Sequence, residues 1–325
     1  MKKKPLDLAR GKQKKVVIIG GGTGTFTVLT ALKSYPLSLT AIVSMADDGG
    51  STGALRDQYG VLPPGDVRRA LVALSESGDT LRALFNYRFS TGDFEGHSFG
   101  NIFLSALHKI TGDFGSAVKE ASRVLNIKGK VFPVTLDNVR LSARLSDGSV
   151  LEGETNIDIP KQGRKRGRIT EVWLTPRARI NPEARQAILE ADAMVIGPGD
   201  MYTSLIPNLL VEGVSEAIRN SPAKKIYICN LMTKFGETDG FVAEDFVKTL
   251  EQYLGPGSID IAVFNNRKPS DKILFSYKKE GSVFVPPPKN AMGNMRSISV
   301  DLLDAGPLIR HNANKKLAKV LMSLL

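Results

Sequence analysis

The sequence predicts an α/β fold: a Rossmann-like, doubly wound, mainly parallel sheet with an inserted antiparallel β-hairpin segment. Short β-branched apolar runs end in glycine-rich turns and give way to helical periodicity, and this order occurs near the N-terminus and again near residue 195. Between the two, residues 131–175 switch to strand-like alternation around an Asp-Gly turn.

Val16-Val17-Ile18-Ile19 is the first apolar run; it stops at Gly20, and Phe26, Leu29 and Leu32 follow with helical spacing over 26–33. Tyr35-Pro36 halts that helix, because the residue before a proline is pushed out of helical geometry. A second apolar strand, 39–45, ends in Asp47-Asp48-Gly49-Gly50. Two apolar strands joined by a helix form a βαβ unit whose parallel strands are covered on both faces. From Asp66 to about Arg123 the pattern is helical, through Val67, Leu71 and Leu74, then Leu81, Leu84 and Phe85, then Ile102, Leu104 and Leu107. Residues 131–134, 139–145, 150–151 and 168–174, with the Asp147-Gly148 turn, read as antiparallel hairpins. Alternation resumes with strands at 193–196, 225–228 and 259–264 and helices near 183–190, 203–219 and 241–254. The expected organisation is a disordered basic tail over 1–13 and a single Rossmann-like nucleotide-binding domain over 14–325, with the β insertion at about 131–175.

Hydrophobic residues at 42% and charged residues at 24% exclude a disordered or collagen-like chain. No segment approaches the ~18 uninterrupted apolar residues of a membrane-spanning helix. The start of the chain is basic but lacks the apolar run and cleavage site of a secretory leader. Cys229 is the only cysteine, which excludes an intramolecular disulfide and a multi-cysteine metal centre and fits a reducing, cytoplasmic compartment. With three histidines in all, zinc is not expected. A net charge of +11 favours an anionic partner, although two runs, Lys2 to Lys15 and Lys161 to Arg168, hold part of the excess as a solvated tail and loop. Nucleic acid is not the expected partner: charge alone points to it, and no module with stacking aromatics is present.

Chemistry concentrates at the ends of the predicted strands. In Gly20-Gly21-Gly22-Thr23-Gly24-Thr25 the glycines let backbone approach a phosphate, and the following helix offers free N–H groups and a positive dipole end. Thr25 stands where a dinucleotide fingerprint has its third glycine, and no Gly-Lys-Ser/Thr follows as in a P-loop. Asp47 and Asp48 lie at the carboxyl edge of the sheet, where one carboxylate can grip a ribose hydroxyl or the two together can hold Mg²⁺. Gly50, Ser51 and Thr52 after them read as a second anion nest, with Arg56 nearby. Asp66 reads as the N-cap of the next helix, and Arg68 or Arg69 can reach an anion. His97 and Asn101 open a further helix and can face the ligand, although a lone histidine is more often structural. Gly197-Pro198-Gly199-Asp200-Met201-Tyr202-Thr203-Ser204 repeats the strand, turn, helix order. There Thr203 and Ser204 can cap a helix or bind phosphate, and Asp200 can hold a base or metal. Asn230 trails the 225–228 strand onto the same edge.

Taken together, Ile-Gly-Gly-Gly-Thr-Gly at 19–24, Ala-Asp-Asp-Gly-Gly-Ser-Thr-Gly at 46–53, Pro-Pro-Gly-Asp-Val-Arg at 63–68, Gly-His-Ser-Phe-Gly-Asn at 96–101 and Gly-Pro-Gly-Asp-Met-Tyr-Thr-Ser at 197–204 resemble the gluconeogenesis factor family. That family is the bacterial branch of the superfamily that includes 2-phospho-L-lactate transferase. The resemblance spans roughly residues 14–323. It implies a Rossmann-like nucleotide-binding fold and a protein that binds UDP-N-acetylglucosamine and supports cell shape and envelope-precursor supply during gluconeogenic growth. The expected ligand is a small-molecule UDP-sugar, and a regulated protein partner and a homo-oligomer are further expectations. By motif match, Gly21 to Thr25, Asp47 or Asp48, Asn101 and Gly199 to Ser204 inherit nucleotide or metal contacts, and Tyr277 and Arg310 stand for an aromatic and an arginine that touch the sugar nucleotide.

A ligand-binding regulator is therefore the leading expectation. A Mg²⁺-dependent nucleotidyl- or phosphotransferase is the enzymatic alternative, with Asp47 or Asp48 holding the metal. An NAD(P)-dependent oxidoreductase would use the same strand, glycine and acid order, against which the missing third glycine weighs.

Overall fold

Ten strands and a set of mostly short helices make up the computed structural model, which describes residues 13–160, 166–306 and 308–325. The basic run up to residue 12 and Lys161–Lys165 of the second basic run lie outside the described residues. In chain order the strands are β1 (Lys14–Gly20), β2 (Leu37–Val43), β3 (Lys130–Pro133), β4 (Arg140–Leu145), β5 (Val150–Glu152), β6 (Ile169–Thr175), β7 (Ala193–Ile196), β8 (Lys224–Ile228), β9 (Ile261–Asn265) and β10 (Arg296–Val300). Seven of them form one parallel sheet in the order β10-β9-β8-β7-β1-β2-β3. Consecutive residues of β1, β2, β7 and β9 are buried, which requires cover on both faces and explains their unbroken Val, Ile and Ala runs.

The strand order reverses at β1. Strands β2 and β3 build outward from one side, whereas β7 to β10 build outward from the other. In open α/β sheets the crevice outside the carboxyl ends of the strands at such a switch point is where ligands bind. Here it lies between the ends of β1 and β7, the two strands that lead into glycine turns.

Helices α1 (Gly22–Leu32), α2 (Gly50–Tyr59), α3 (Gly65–Leu74), α4 (Asp79–Asn86), α5 (Phe99–Thr111) and α6 (Phe114–Val124) occupy the first half of the chain. Val67, Ala70, Leu71 and Leu74 form the buried stripe of α3, which packs on α1 and α5. Strands β5-β4-β6 form a separate antiparallel sheet, and its β4–β5 turn uses Gly148 at φ +85°. From β5 the chain enters a short helix, α7 (Glu154–Asp158), which packs against β4 and the helical turn Met201–Leu205.

Several local expectations change. Residues 131–134 do not open the hairpins: β3 pairs in parallel with β2, from Thr40↔Lys130 to Val43↔Pro133, as the edge of the main sheet. Helix α1 starts at Gly22 rather than Phe26, and α2 starts at Gly50, so both glycine segments are first turns of helices rather than free loops. Asp66 is not an N-cap; Pro64 holds that position, and Asp66 lies within the first turn of α3. The expected 203–219 helix breaks into Met201–Leu209 and Val214–Asn220, separated by Gly213 at φ +92°. Strand β10 was not anticipated, because its residues are half-exposed and carry no apolar run.

Candidate functional site

The crevice at the switch point is a cleft of about 450 Å³. Its lining comes from five places: Gly21–Gly24 at the start of α1, Asp47 and Gly49–Thr52 between β2 and α2, Gly65, Asp66, Arg68 and Arg69 of α3, Glu154, Thr155, Asp158 and Ile159 around α7, and Gly199, Asp200, Thr203 and Ser204 after β7. Arg88 and Asn101 complete it. All the glycine motifs thus meet in one cavity.

The closeness of the two turns depends on glycine. A Cβ on Gly24 would collide with the carbonyl oxygen of Pro198, so only hydrogen at that position lets α1 and the β7 turn approach. Gly22 adopts φ +61°, which turns the chain sharply out of β1 into α1. Neither α1 nor α2 has a side-chain N-cap. Apart from the Gly22 N–H, which the Asp66 carboxylate takes, the first N–H groups of both helices lack side-chain partners, and both dipoles present their positive ends to the cleft. Arg68, Arg69 and Arg88 add cationic side chains to the lining.

Acids face these positive groups. The Asp66 carboxylate accepts the N–H of Gly22 at 2.9 Å and lies 3.6 Å from Arg69 Nη1. Burial, reinforced by Asp47, pushes its pKa up to about 6. Burial likewise raises Asp47, against the pull of a hydrogen bond from Gly49 N–H at 2.9 Å. Glu154 rises to about 9 through burial and the charges of Asp47 and Asp158, so it carries a proton at neutral pH and can donate a hydrogen bond. Burial, with Arg69 and Arg88 close by, lowers Arg68 to about 10. Asp47, Asp66 and Glu154 are a set of acids that line the cleft, and a divalent cation beside them would favour their ionised forms.

Asp48 does not join Asp47 in this set. Its carboxylate accepts the N–H groups of Glu154 and Thr155 at 3.1 and 2.8 Å and the Thr155 hydroxyl at 2.9 Å, and so caps α7.

Thr203 is also committed. Glu237, fully buried, accepts the Tyr202 N–H and the Thr203 hydroxyl, each at 3.0 Å. Lys234 Nζ binds the carboxylates of Asp158 and Asp200, the latter at 2.7 Å, and lies 3.5 Å from Glu237. Burial works against the Lys234 charge, but Asp200 and Glu237 outweigh it and hold its pKa above the ordinary lysine value. Burial and the Asp200 charge push Glu237 up to about 8. Asp158, Asp200 and Glu237 have oxygens within 4.8 Å of one another, the spacing of a metal site, but the Lys234 ammonium already supplies the positive charge among them.

The remaining expected residues sort clearly. Gly21, Gly22, Thr23, Gly24, Asp47, Gly50, Ser51, Thr52, Asn101, Gly199, Asp200, Thr203 and Ser204 line the cleft. Thr25 is buried beneath it, its hydroxyl bonded to Gly21 O at 3.2 Å. Asn230 lies outside the lining and accepts the Gly199 N–H at 3.3 Å. Tyr277 and Arg310 are not in the lining either; the Tyr277 hydroxyl accepts the Ile309 N–H at 3.1 Å, and Arg310 O accepts the Asp304 N–H at 2.9 Å. His97 faces a neighbouring cavity and touches Ser51 at 3.3 Å. Sequence reasoning missed Arg88, Glu154, Thr155 and Asp158, which no motif marks and which reach the cleft only because the β insertion and the 87–98 loop fold back over it.

The chain matches the family model of 2-phospho-L-lactate transferase CofD over residues 16–303. A relative from Thermotoga maritima is 51% identical over 272 residues, covering 83% of this chain and 85% of its own. The gluconeogenesis factor of Halalkalibacterium halodurans is 44% identical over 309 residues, 94% of each chain. A crystal structure of a UPF0052 family protein from Bacillus halodurans superposes with a TM-score of 0.90 at 42% identity, covering 96% of this chain and 99% of that one. With the fold and the resemblance of the five motifs agreeing with these matches, the chain belongs to the gluconeogenesis factor family, within the group related to CofD-like transferases.

Proposed function

We propose that the cleft binds a nucleotide-sugar, UDP-N-acetylglucosamine, and that the protein is a cytoplasmic ligand-binding regulator of cell shape and envelope-precursor supply during gluconeogenic growth. One observation carries the phosphate part of this reading: two helix N-termini without side-chain caps and three arginines converge on a single cleft. Its volume of about 450 Å³ lies in the usual range for small-molecule sites. The N–H groups at the start of α1 and α2 hold the diphosphate, Arg69 and Arg88 neutralise it, and protonated Glu154 donates a hydrogen bond to a ligand carbonyl. The uridine and the N-acetylglucosamine rest on the family resemblance. Isothermal titration with UDP-N-acetylglucosamine tests the reading; 1:1 binding is expected, and silence toward uridine and guanine nucleotides alike ends it.

A second reading, a Mg²⁺-dependent transferase, is favoured by the acids in the same cleft. Asp47 and Asp66 would hold the ion, which when bound neutralises phosphate oxygens. Gly22 N–H orients the Asp66 carboxylate, and Arg69 and Arg88 steady the phosphate beside it. Phosphorus NMR of nucleotide-sugar incubated with protein and Mg²⁺ distinguishes the two readings: new phosphate resonances support transfer, and an unchanged spectrum with intact binding supports the regulator.

A further inference from the structure

Beside the nucleotide cleft lies a second cavity, of about 300 Å³, walled by Leu55, Tyr59, Phe94 and Ile102. Helices α2 and α5 supply Leu55, Tyr59 and Ile102, and the loop between α4 and α5 supplies Phe94. Tyr59 and Phe94 remain 54% and 56% exposed, an aromatic surface left facing solvent around a concavity. That loop is a wall shared by the two cavities, since Arg88 faces the nucleotide cleft and Phe94 and His97 face the second.

The polar groups around this cavity are defined by the hydrogen bonds behind them. Ser51 Oγ accepts from the Ser98 N–H and the Asn101 side-chain amide, both at 3.2 Å. Its own proton is left for His97 Nδ1, 3.3 Å away. In the neutral ring Nε2 then carries the proton, so His97 acts as a donor. Lys109 adds an exposed ammonium to the lining, and Asp93 a carboxylate.

We infer that this cavity is a second small-molecule site, taking a planar aromatic ring that carries an anionic substituent. The ring packs against Tyr59 and Phe94, the anion is held by Lys109 with His97 as a further donor, and Asp93 repels the anion and so fixes the ring's orientation. The inference does not depend on which nucleotide fills the first cleft.

Two fluorescent probes test it on the full chain: 1-anilinonaphthalene-8-sulfonate, and the neutral N-phenyl-1-naphthylamine. Each is expected to give a saturable one-site titration. Ala106→Trp fills the cavity from an exposed position on α5 and is expected to abolish both titrations without lowering the melting temperature. Lys109→Gln is expected to weaken the sulfonate about threefold and leave the neutral probe unchanged. Phe94→Ala, at an exposed loop position, is expected to weaken both about tenfold and serves if Ala106→Trp does not fold. Equal titrations for wild type and the Ala106→Trp or Phe94→Ala protein overturn the site, and a sulfonate titration indifferent to Lys109→Gln overturns its anionic ligand.

Discussion

The carboxylate of Asp66 accepts the backbone N–H of Gly22 at 2.9 Å, so an acid occupies one of the helix-start donors that a phosphate would otherwise take. Its ordinary pKa of 3.8 rises to about 6, chiefly through burial. Because the fold favours the protonated form, the stability this group contributes is full below its unfolded pKa and is lost as pH rises through the folded one. The ionised group costs on the order of 3 kcal/mol above that window. Asp66→Asn keeps an acceptor oxygen and removes the charge. Thermal melting of the ligand-free protein across pH 4–7 is expected to show wild type losing stability relative to the variant, which melts higher at neutral pH.

Glu154 extends the same sign to higher pH. Its pKa moves from an ordinary 4.5 to about 9, led by burial. Glu154→Gln is therefore expected to match wild type near pH 4 and to gain on it steadily up to pH 9, in melts without ligand. Mg²⁺ added at pH 8 is expected to stabilise wild type more than either carboxamide variant, because a cation offsets the cost of the ionised acids.

Gly24 and Gly50 provide a paired comparison. A methyl group on Gly24 meets the Pro198 carbonyl, whereas one on Gly50 meets nothing within 4 Å and is opposed only by φ +42°. Gly50→Ala is expected to cost about 1 kcal/mol. Gly24→Ala is expected to cost about 3 kcal/mol and to abolish ligand binding, since the two glycine turns must move apart. Chemical denaturation read alongside calorimetry checks both.

Lys234 joins the β insertion to the β7 turn through Asp158 and Asp200. Lys234→Met leaves those carboxylates and Glu237 facing one another without compensation. The expected loss is about 3 kcal/mol, or roughly 4 °C for a chain of this size, measured by calorimetric melting. Adding Asp158→Asn to the same protein is expected to restore part of it.

The parallel sheet was legible because strands buried on both faces must be continuous apolar runs, as in β1, β2, β7, β8 and β9. Strand β10 was not, since Arg296–Val300 at the sheet edge needs no such run. The four residues of β3 carry no signal of their partner, and in sequence they resemble the alternating strands that follow them. At the cleft, glycines mark close backbone approach and could be read directly. Asp47 and Asp48 could not be told apart, because only the position of α7 decides which carboxylate is used as its cap. Glu154 owes its place to the fold of the insertion, and Tyr277 was carried by family resemblance to a position outside the cleft.

Titration calorimetry of UDP-N-acetylglucosamine into wild type and Arg69→Ala decides whether the cleft is a nucleotide-sugar site. Arg69 is 44% exposed and lines the cleft, so it can be replaced without opening the core, and the proposed reading has it make a charge-assisted contact to the ligand's diphosphate. One site per chain is expected in wild type and affinity about tenfold weaker in the variant, which still melts cooperatively. Equal affinity in both proteins, or no binding by a folded wild type, would contradict that reading.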